Sequence, residues 1–228
     1  MRHTHPLLVL FDIDGTLLHG RPDGHTRALV DAMHDVWGVA TTVDDVWAIG
    51  PAGRTDREIA RRVLRGHGVD DARIDRLTPE WIAHAAALHE RLAAGYRRPV
   101  AAPDAGDVTG RLCDAGIEIA LVTGNLQAIG RSKVAAAGLG HRFGDGGGFG
   151  CDSEVRADLV RIARGRAARP YADDEVVVVG DTPRDVIAAR DAGVRVVAVT
   201  TGAHSAGDLA GADAVVSDLT GALGILLA

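Results

Sequence analysis

The chain has 228 residues, 46% of them hydrophobic and 25% charged, with a formal net charge of −6. That is globular composition, with length enough to bury a core without disulfide staples. The acidic balance and the 4% aromatic content argue against nucleic-acid binding. Two cysteines, Cys113 and Cys151, form no disulfide framework, so a reducing cytoplasm is the expected compartment. No apolar run is long enough to span a membrane, and the first, Leu7 to Phe11, meets Asp12 too early for a signal-peptide core. Nothing in the sequence speaks to oligomeric state.

The run Leu7–Phe11 lacks polar alternation, as expected for a strand of a parallel sheet buried on both faces. Similar runs recur at Ile117–Val122, Val176–Val179 and Val194–Thr200, with a weaker one at Ala214–Val216. Helical patterns over 126–138, 154–168 and 183–192 lie between them. This alternation predicts an α/β fold, a Rossmann-like doubly wound parallel sheet. The segment from His19 to about Arg98 breaks it. His25–Trp37, Thr55–His67 and Thr78–Ala94 carry helical spacing. Thr55 with Glu58 forms a capping-box pattern, and Pro79 suits a first helical position. The expected organisation is a core of residues 1–18 and 98–228, with a helical cap over 19–97. Trp37, Trp47 and Trp81 are expected in the small core of the cap. Arg57, Arg61, Arg62 and Arg65 are expected to form an exposed helix face. Gly144–Gly150, with five glycines in seven residues, reads as a surface loop.

Three clusters carry chemistry. Asp12-Ile13-Asp14-Gly15-Thr16 follows the first strand. Residues two apart in extended chain point the same way, so two carboxylates would face one spot at the carboxyl end of a strand, where open α/β sheets bind ligands. Like charges that close call for a cation or a shared proton. Thr123-Gly124-Asn125 ends a second strand, where a hydroxyl, a glycine amide and a helix N-terminus make an anion cradle. Gly180-Asp181-Thr182-Pro183-Arg184-Asp185 ends a third. Pro183 would open a helix with Asp185 in its first turn, which ordinary helix electrostatics also favour.

Asp12-x-Asp14-Gly15-Thr16, Thr123 at a strand end and Gly180-Asp181-x-x-x-Asp185 together resemble the motifs of the haloacid dehalogenase superfamily. An insertion directly after the first motif resembles the family's helical cap of the first type, as in its phosphoglycolate phosphatase-like branch. The resemblance implies a magnesium-dependent phosphatase acting on a small phosphorylated metabolite. It implies Asp12 as the nucleophile that becomes an aspartyl phosphate, and Asp14 as the acid and then the base. Mg2+ would be held by Asp12, the Asp14 backbone carbonyl, Asp181 and Asp185, and a phosphoryl oxygen by Thr123 and the Gly124 amide. The family also places a basic residue on the phosphoryl group. Two candidates stand for it: Arg156, near the start of the helix before the fourth-motif strand, and Lys133, eight residues past Asn125. Lys133 is the sole lysine beside 24 arginines. Arg54, in the cap turn Gly53-Arg54-Thr55-Asp56, is a candidate substrate contact. A phosphomutase and a non-catalytic binding protein on the same fold are the alternatives. A dehalogenase is disfavoured, because Asp14 supplies an acid that dehalogenases of this fold lack.

Overall fold

The computed structural model describes residues 7–20 and 23–228. Residues 1–6 of the expected core and 21–22 of the expected insertion lie outside the described residues. The strands are β1 (Leu8–Phe11), β2 (Leu18–His19), β3 (Val100–Ala101), β4 (Glu118–Thr123), β5 (Gly148–Phe149), β6 (Val176–Gly180), β7 (Arg195–Val199) and β8 (Ala214–Val216). Six form one parallel sheet in the order β5-β4-β1-β6-β7-β8, with Phe11 level with Leu121 on one side and Val179 on the other. This is the expected Rossmann-like α/β sheet. Its central strands are buried on both faces, which is why their sequences run apolar without alternation. Val9, Phe11, Val177 and Val179 pack on one face with α5 (Ala105–Asp114) and α9 (Leu219–Leu226). Leu8, Leu10, Val176 and Val178 pack on the other with α7 (Arg156–Gly165) and α8 (Pro183–Asp191).

Between β2 and β3 the chain forms α1 (Asp23–Trp37), α2 (Val43–Ala48), α3 (Asp56–Gly66) and α4 (Asp71–Leu92). They share a separate core around Leu29, Met33, Trp37, Leu64 and Trp81. Leu126 and Ile129, at the start of α6 (Gln127–Ala136), pack into that core and tie it to the sheet. The two ends of the helical insertion meet in the antiparallel β2–β3 pair, which no apolar run announced.

Five expectations need correction. Pro79 does not start a helix; it lies inside α4, which begins eight residues earlier behind the N-cap Asp70. The buried Ile74 and Trp81 anchor both sides of the proline, so packing holds the helix through it. The glycine run is not a loose loop, since Gly148 and Phe149 pair with Val122 and Thr123 as the edge strand β5. A Cβ on Gly148 would lie 2.0 Å from the Leu159 carbonyl oxygen, and one on Gly150 1.8 Å from that of Gly124, so close backbone approach explains these glycines. Trp37 and Trp81 are buried, but Trp47 is 42% exposed and lines the central cavity. Arg57 and Arg61 are not free surface cations: both reach Glu154 across to the sheet side, Arg61 through Nε at 2.7 Å. Finally, only half of the Thr55 box forms. Thr55 Oγ1 accepts from the Glu58 amide, while the Glu58 carboxylate bonds Arg54 and Arg62.

Candidate active site

Because β1 lies between β4 and β6, their carboxyl ends are neighbours, and the three clusters distant in sequence meet there. Asp12 directly follows β1, Thr123 closes β4 and Asp181 directly follows β6. Asp12, Asp14, Thr123, Gly124, Lys133, Arg156, Asp181 and Arg54 all line one cavity of about 530 Å³ between the sheet edge and the helical insertion. Asp185 stands behind it, fully buried in the first turn of α8.

The acids divide into two groups. Asp12, Asp181 and Asp185 present carboxylate oxygens within 4.8 Å of one another. Arg156, the first residue of α7, lies among them. Its Nη2 donates to Asp12 Oδ1 at 2.8 Å and to Asp185 Oδ1 at 2.6 Å, and its Nε to the same Asp185 oxygen at 3.0 Å. The other oxygen of Asp185 caps α8, accepting from the Thr182 amide at 3.0 Å and its hydroxyl at 2.7 Å. Thr16 Oγ1 donates to Asp181 at 3.2 Å. Burial, followed by the Asp185 charge, raises the Asp12 carboxyl well above the usual range, with Arg156 opposing. The same two causes push Asp181 up to about 7, with the Thr16 hydrogen bond opposing.

Asp14 faces a different set of partners. Lys133 lies on α6 and is 2% exposed. Its Nζ donates to both Asp14 oxygens, at 2.8 and 2.6 Å, and to Asn125 Oδ1 at 2.8 Å. Asn125 Nδ2 donates in turn to Asp14 Oδ2 at 2.8 Å and to Thr123 Oγ1 at 2.6 Å. Burial alone would raise the Asp14 carboxyl; the Lys133 ammonium, with His25 beside it and hydrogen bonds from Lys133 and Asn125, outweighs it and holds the carboxyl below its usual value. Of the two candidate cations, Arg156 therefore bonds Asp12 and Lys133 bonds Asp14. Arg54 also reaches the cavity, although its Nε is engaged by the Ile49 and Gly50 carbonyls and its Nη1 by Glu58.

Sequence reasoning gave Asn125 no individual role and passed over His25 and Asp56. His25 Nε2 lies 2.9 Å from Asp56 Oδ2, and its Nδ1 3.3 Å from Lys133 Nζ. The Asp56 carboxylate also accepts from the Leu126 amide at 2.7 Å at the start of α6, and the Asp56 amide donates to the Gly124 carbonyl at 2.7 Å. No motif signals these contacts, because they join the helical insertion to α6 and the loop before it, 70 residues later for Asp56–Leu126 and 108 for His25–Lys133.

A family model of haloacid dehalogenase-like hydrolases matches residues 7–193, and the chain belongs to this family of hydrolases. Among curated proteins it is similar to the phosphoglycolate phosphatases of Cereibacter sphaeroides and Mesorhizobium japonicum. The first is 30% identical over 200 residues, covering 85% of each chain; the second is 28% identical over 206 residues, covering 86% of this chain and 83% of the relative. In fold it is similar to a hydrolase from Pseudomonas syringae, with a TM-score of 0.68 and 22% identity over 97% of this chain and 98% of that one. CbbY from Rhodobacter sphaeroides, in complex with phosphate, superposes with a TM-score of 0.67 and 21% identity over 94% of this chain and 95% of that one. Among the described residues no helix is long and apolar enough to cross a membrane.

Proposed function

We propose that the protein is a magnesium-dependent phosphatase that hydrolyses a small phosphorylated metabolite through a phosphorylated Asp12. One observation carries this reading. Two carboxylates at one strand end are held by two different cations, Arg156 on Asp12 and Lys133 on Asp14, at the wall of a single cavity. Lys133 favours ionised Asp14, the form that takes a proton from water in the second half-reaction, while Arg156 keeps a cation against the Asp12 carboxylate that must attack phosphorus.

In the first half-reaction an Asp12 oxygen forms a bond to phosphorus while the ester P–O bond breaks, and Asp14 gives its proton to the departing oxygen. In the second, Asp14 takes a proton from water, whose oxygen bonds phosphorus; phosphate leaves and the Asp12 carboxylate is restored. Arg156, already against Asp12, balances phosphoryl charge, and Thr123 and the Gly124 amide bind a phosphoryl oxygen. The donor set also suits Mg2+. Asp12, Asp181 and Asp185 offer hard oxygens, and three buried carboxylates against one guanidinium leave an excess of negative charge. The Asp14 side chain stays outside this cluster and would add its backbone carbonyl. Bound there, Mg2+ would supply positive charge that lets one anion attack another.

The curated relatives support 2-phosphoglycolate as the first substrate to test. Release of inorganic phosphate is measured from it and from a panel of phosphorylated metabolites, with Mg2+ and with chelator. Release with Mg2+, lost in chelator and in Asp12→Asn, is expected. No release from any phosphomonoester, or full activity of Asp12→Asn, would sink the reading.

A further inference from the structure

We infer that Lys133 is a positioning residue for Asp14, aimed by His25 and Asp56 of the helical insertion, and that it does not bind the phosphoryl group. The inference rests on the reading of Asp14 as the acid of the first half-reaction. A lysine ammonium has three N–H donors and no acceptor. Asp14, Asn125 Oδ1 and His25 Nδ1 lie at 2.6, 2.8 and 3.3 Å from Lys133 Nζ and take up all three. No donor remains for a substrate oxygen.

The arrangement has layers. Asn125 serves Lys133 with its carbonyl and Asp14 with its amide, so Asp14 receives donors from two directions. Because the ammonium can only donate, His25 Nδ1 must accept from it. The proton of a neutral ring then sits on Nε2, aimed at Asp56 Oδ2. Asp56 is fixed by the Leu126 amide and by its own amide on the Gly124 carbonyl. A chain Asp56–His25–Lys133–Asp14 thus runs from helices α3 and α1 through α6 to the loop after β1. It turns the Asp14 carboxyl only while the helical insertion is docked. This also accounts for the solitary lysine. Three acceptors spread around one nitrogen suit a compact ammonium, and a bulkier planar guanidinium, which reaches further, does not fit the same buried space.

The test uses leaving groups. Departure of an alkoxide from an alkyl phosphate needs a proton, whereas 2,4-dinitrophenolate leaves without one. In each variant kcat/KM, which reports the phosphorylation step, is measured on an alkyl phosphomonoester turned over by the wild type and on 2,4-dinitrophenyl phosphate, with melting curves as the check on folding. Lys133→Met is expected to lose about 10- to 100-fold on the alkyl ester, the usual range for an outer-layer partner of a working group. Its rate on the dinitrophenyl ester should be nearly unchanged. His25→Leu should show the same selectivity to a smaller degree, and it decides the matter if Lys133→Met does not fold. Equal losses on both esters would mean that Lys133 binds the phosphoryl group, and no loss would mean that it only fills space; either result overturns the inference. Asp14→Asn separates the two levels. If it too loses equally on both esters, the acid role of Asp14 itself is wrong. If it alone is selective, that role stands and the positioning by Lys133 and His25 falls.

Discussion

Asp181 is stabilised less well than its surroundings suggest. Its carboxyl is 4% exposed, and burial with Asp185 nearby pushes it up to about 7. The sign follows directly: between the ordinary aspartate value and about 7, the folded protein holds a proton that the unfolded chain has lost. Without metal, stability therefore falls as pH rises through that window, at up to about 1.4 kcal/mol per unit. Asp181→Asn should melt higher than the wild type in chelator at pH 8, by at least about 4 °C if 2 kcal/mol or so is relieved. If Mg2+ binds at this cluster as proposed, it should raise the melting temperature of the wild type and not of this variant. A lower melting temperature in chelator, or an intact Mg2+ response, would contradict this account. His89 has the opposite sense. Burial, then the charges of His25 and Lys133, lower it to about 4. The unfolded chain binds the extra proton between about 6.5 and 4, so stability is full above that window and is lost as pH falls through it, by up to about 3 kcal/mol. The drop in melting temperature from pH 7.5 to 5 should be smaller in His89→Leu than in the wild type; an equal drop would assign the acid sensitivity elsewhere.

Among the elements, α4 carries a local cost. Pro79 is exposed on its outer side and has no N–H for the carbonyl of Asp75, one turn back. Pro79→Ala restores that donor, at the expense of a freer unfolded chain. A net gain of about 1–2 kcal/mol is expected from the helix propensities, read as a higher urea midpoint at unchanged slope; no gain would show that the proline is already accommodated without strain. The same proline shows what could be read from sequence and what could not. The strands β1, β4, β6 and β7 were legible because burial on both faces demands unbroken Val, Leu and Ile. The start of α4 was not, because a local breaker signal at Pro79 was overridden by the packing of Ile74 and Trp81, which a linear pattern cannot weigh. The edge strand β5 was hidden for a related reason: its glycines serve contacts with the Leu159 and Gly124 carbonyls, which exist only once α7 and the loop after β4 are in place. In the candidate site, Asp12, Asp14, Thr123 and Asp181 sit at strand ends and Asp185 in the helix turn that follows one, so they could be picked out there. The partners of Lys133 could not, since nothing in the spacing of residues 25, 56, 125 and 133 foretells that they meet.

At the scale of the whole molecule, two separately cored units meet over the cavity, joined by side-chain contacts such as Arg61–Glu154 and Lys133–His25 and by one close backbone approach. Gly124 sits at its centre. Its carbonyl accepts the Asp56 amide, and a Cβ added to it would lie 2.0 Å from the Arg54 carbonyl oxygen. Its backbone is not in the left-handed region, so alanine is conformationally acceptable there, and the cost of a methyl group is the collision alone. The Arg54 carbonyl is main chain in a turn also held by Thr55 Oγ1 on the Glu154 carbonyl, so no side-chain rotation relieves the clash. Gly124→Ala should therefore push the helical insertion off the sheet edge, loosening the Leu126 and Ile129 contacts of its core, and leave the two sheet cores intact, because those draw nothing from α1–α4. Hydrogen exchange distinguishes this from general destabilisation. The Asp56 and Leu126 amides, which bond across the junction, should exchange faster, while the amides of β1 and β6 keep their protection. Turnover should fall with them, since Asp56, His25 and Arg54 would move away from the cavity together. Unchanged protection at Asp56, or a uniform loss through β1 and β6, would show that the insertion is not docked through Gly124.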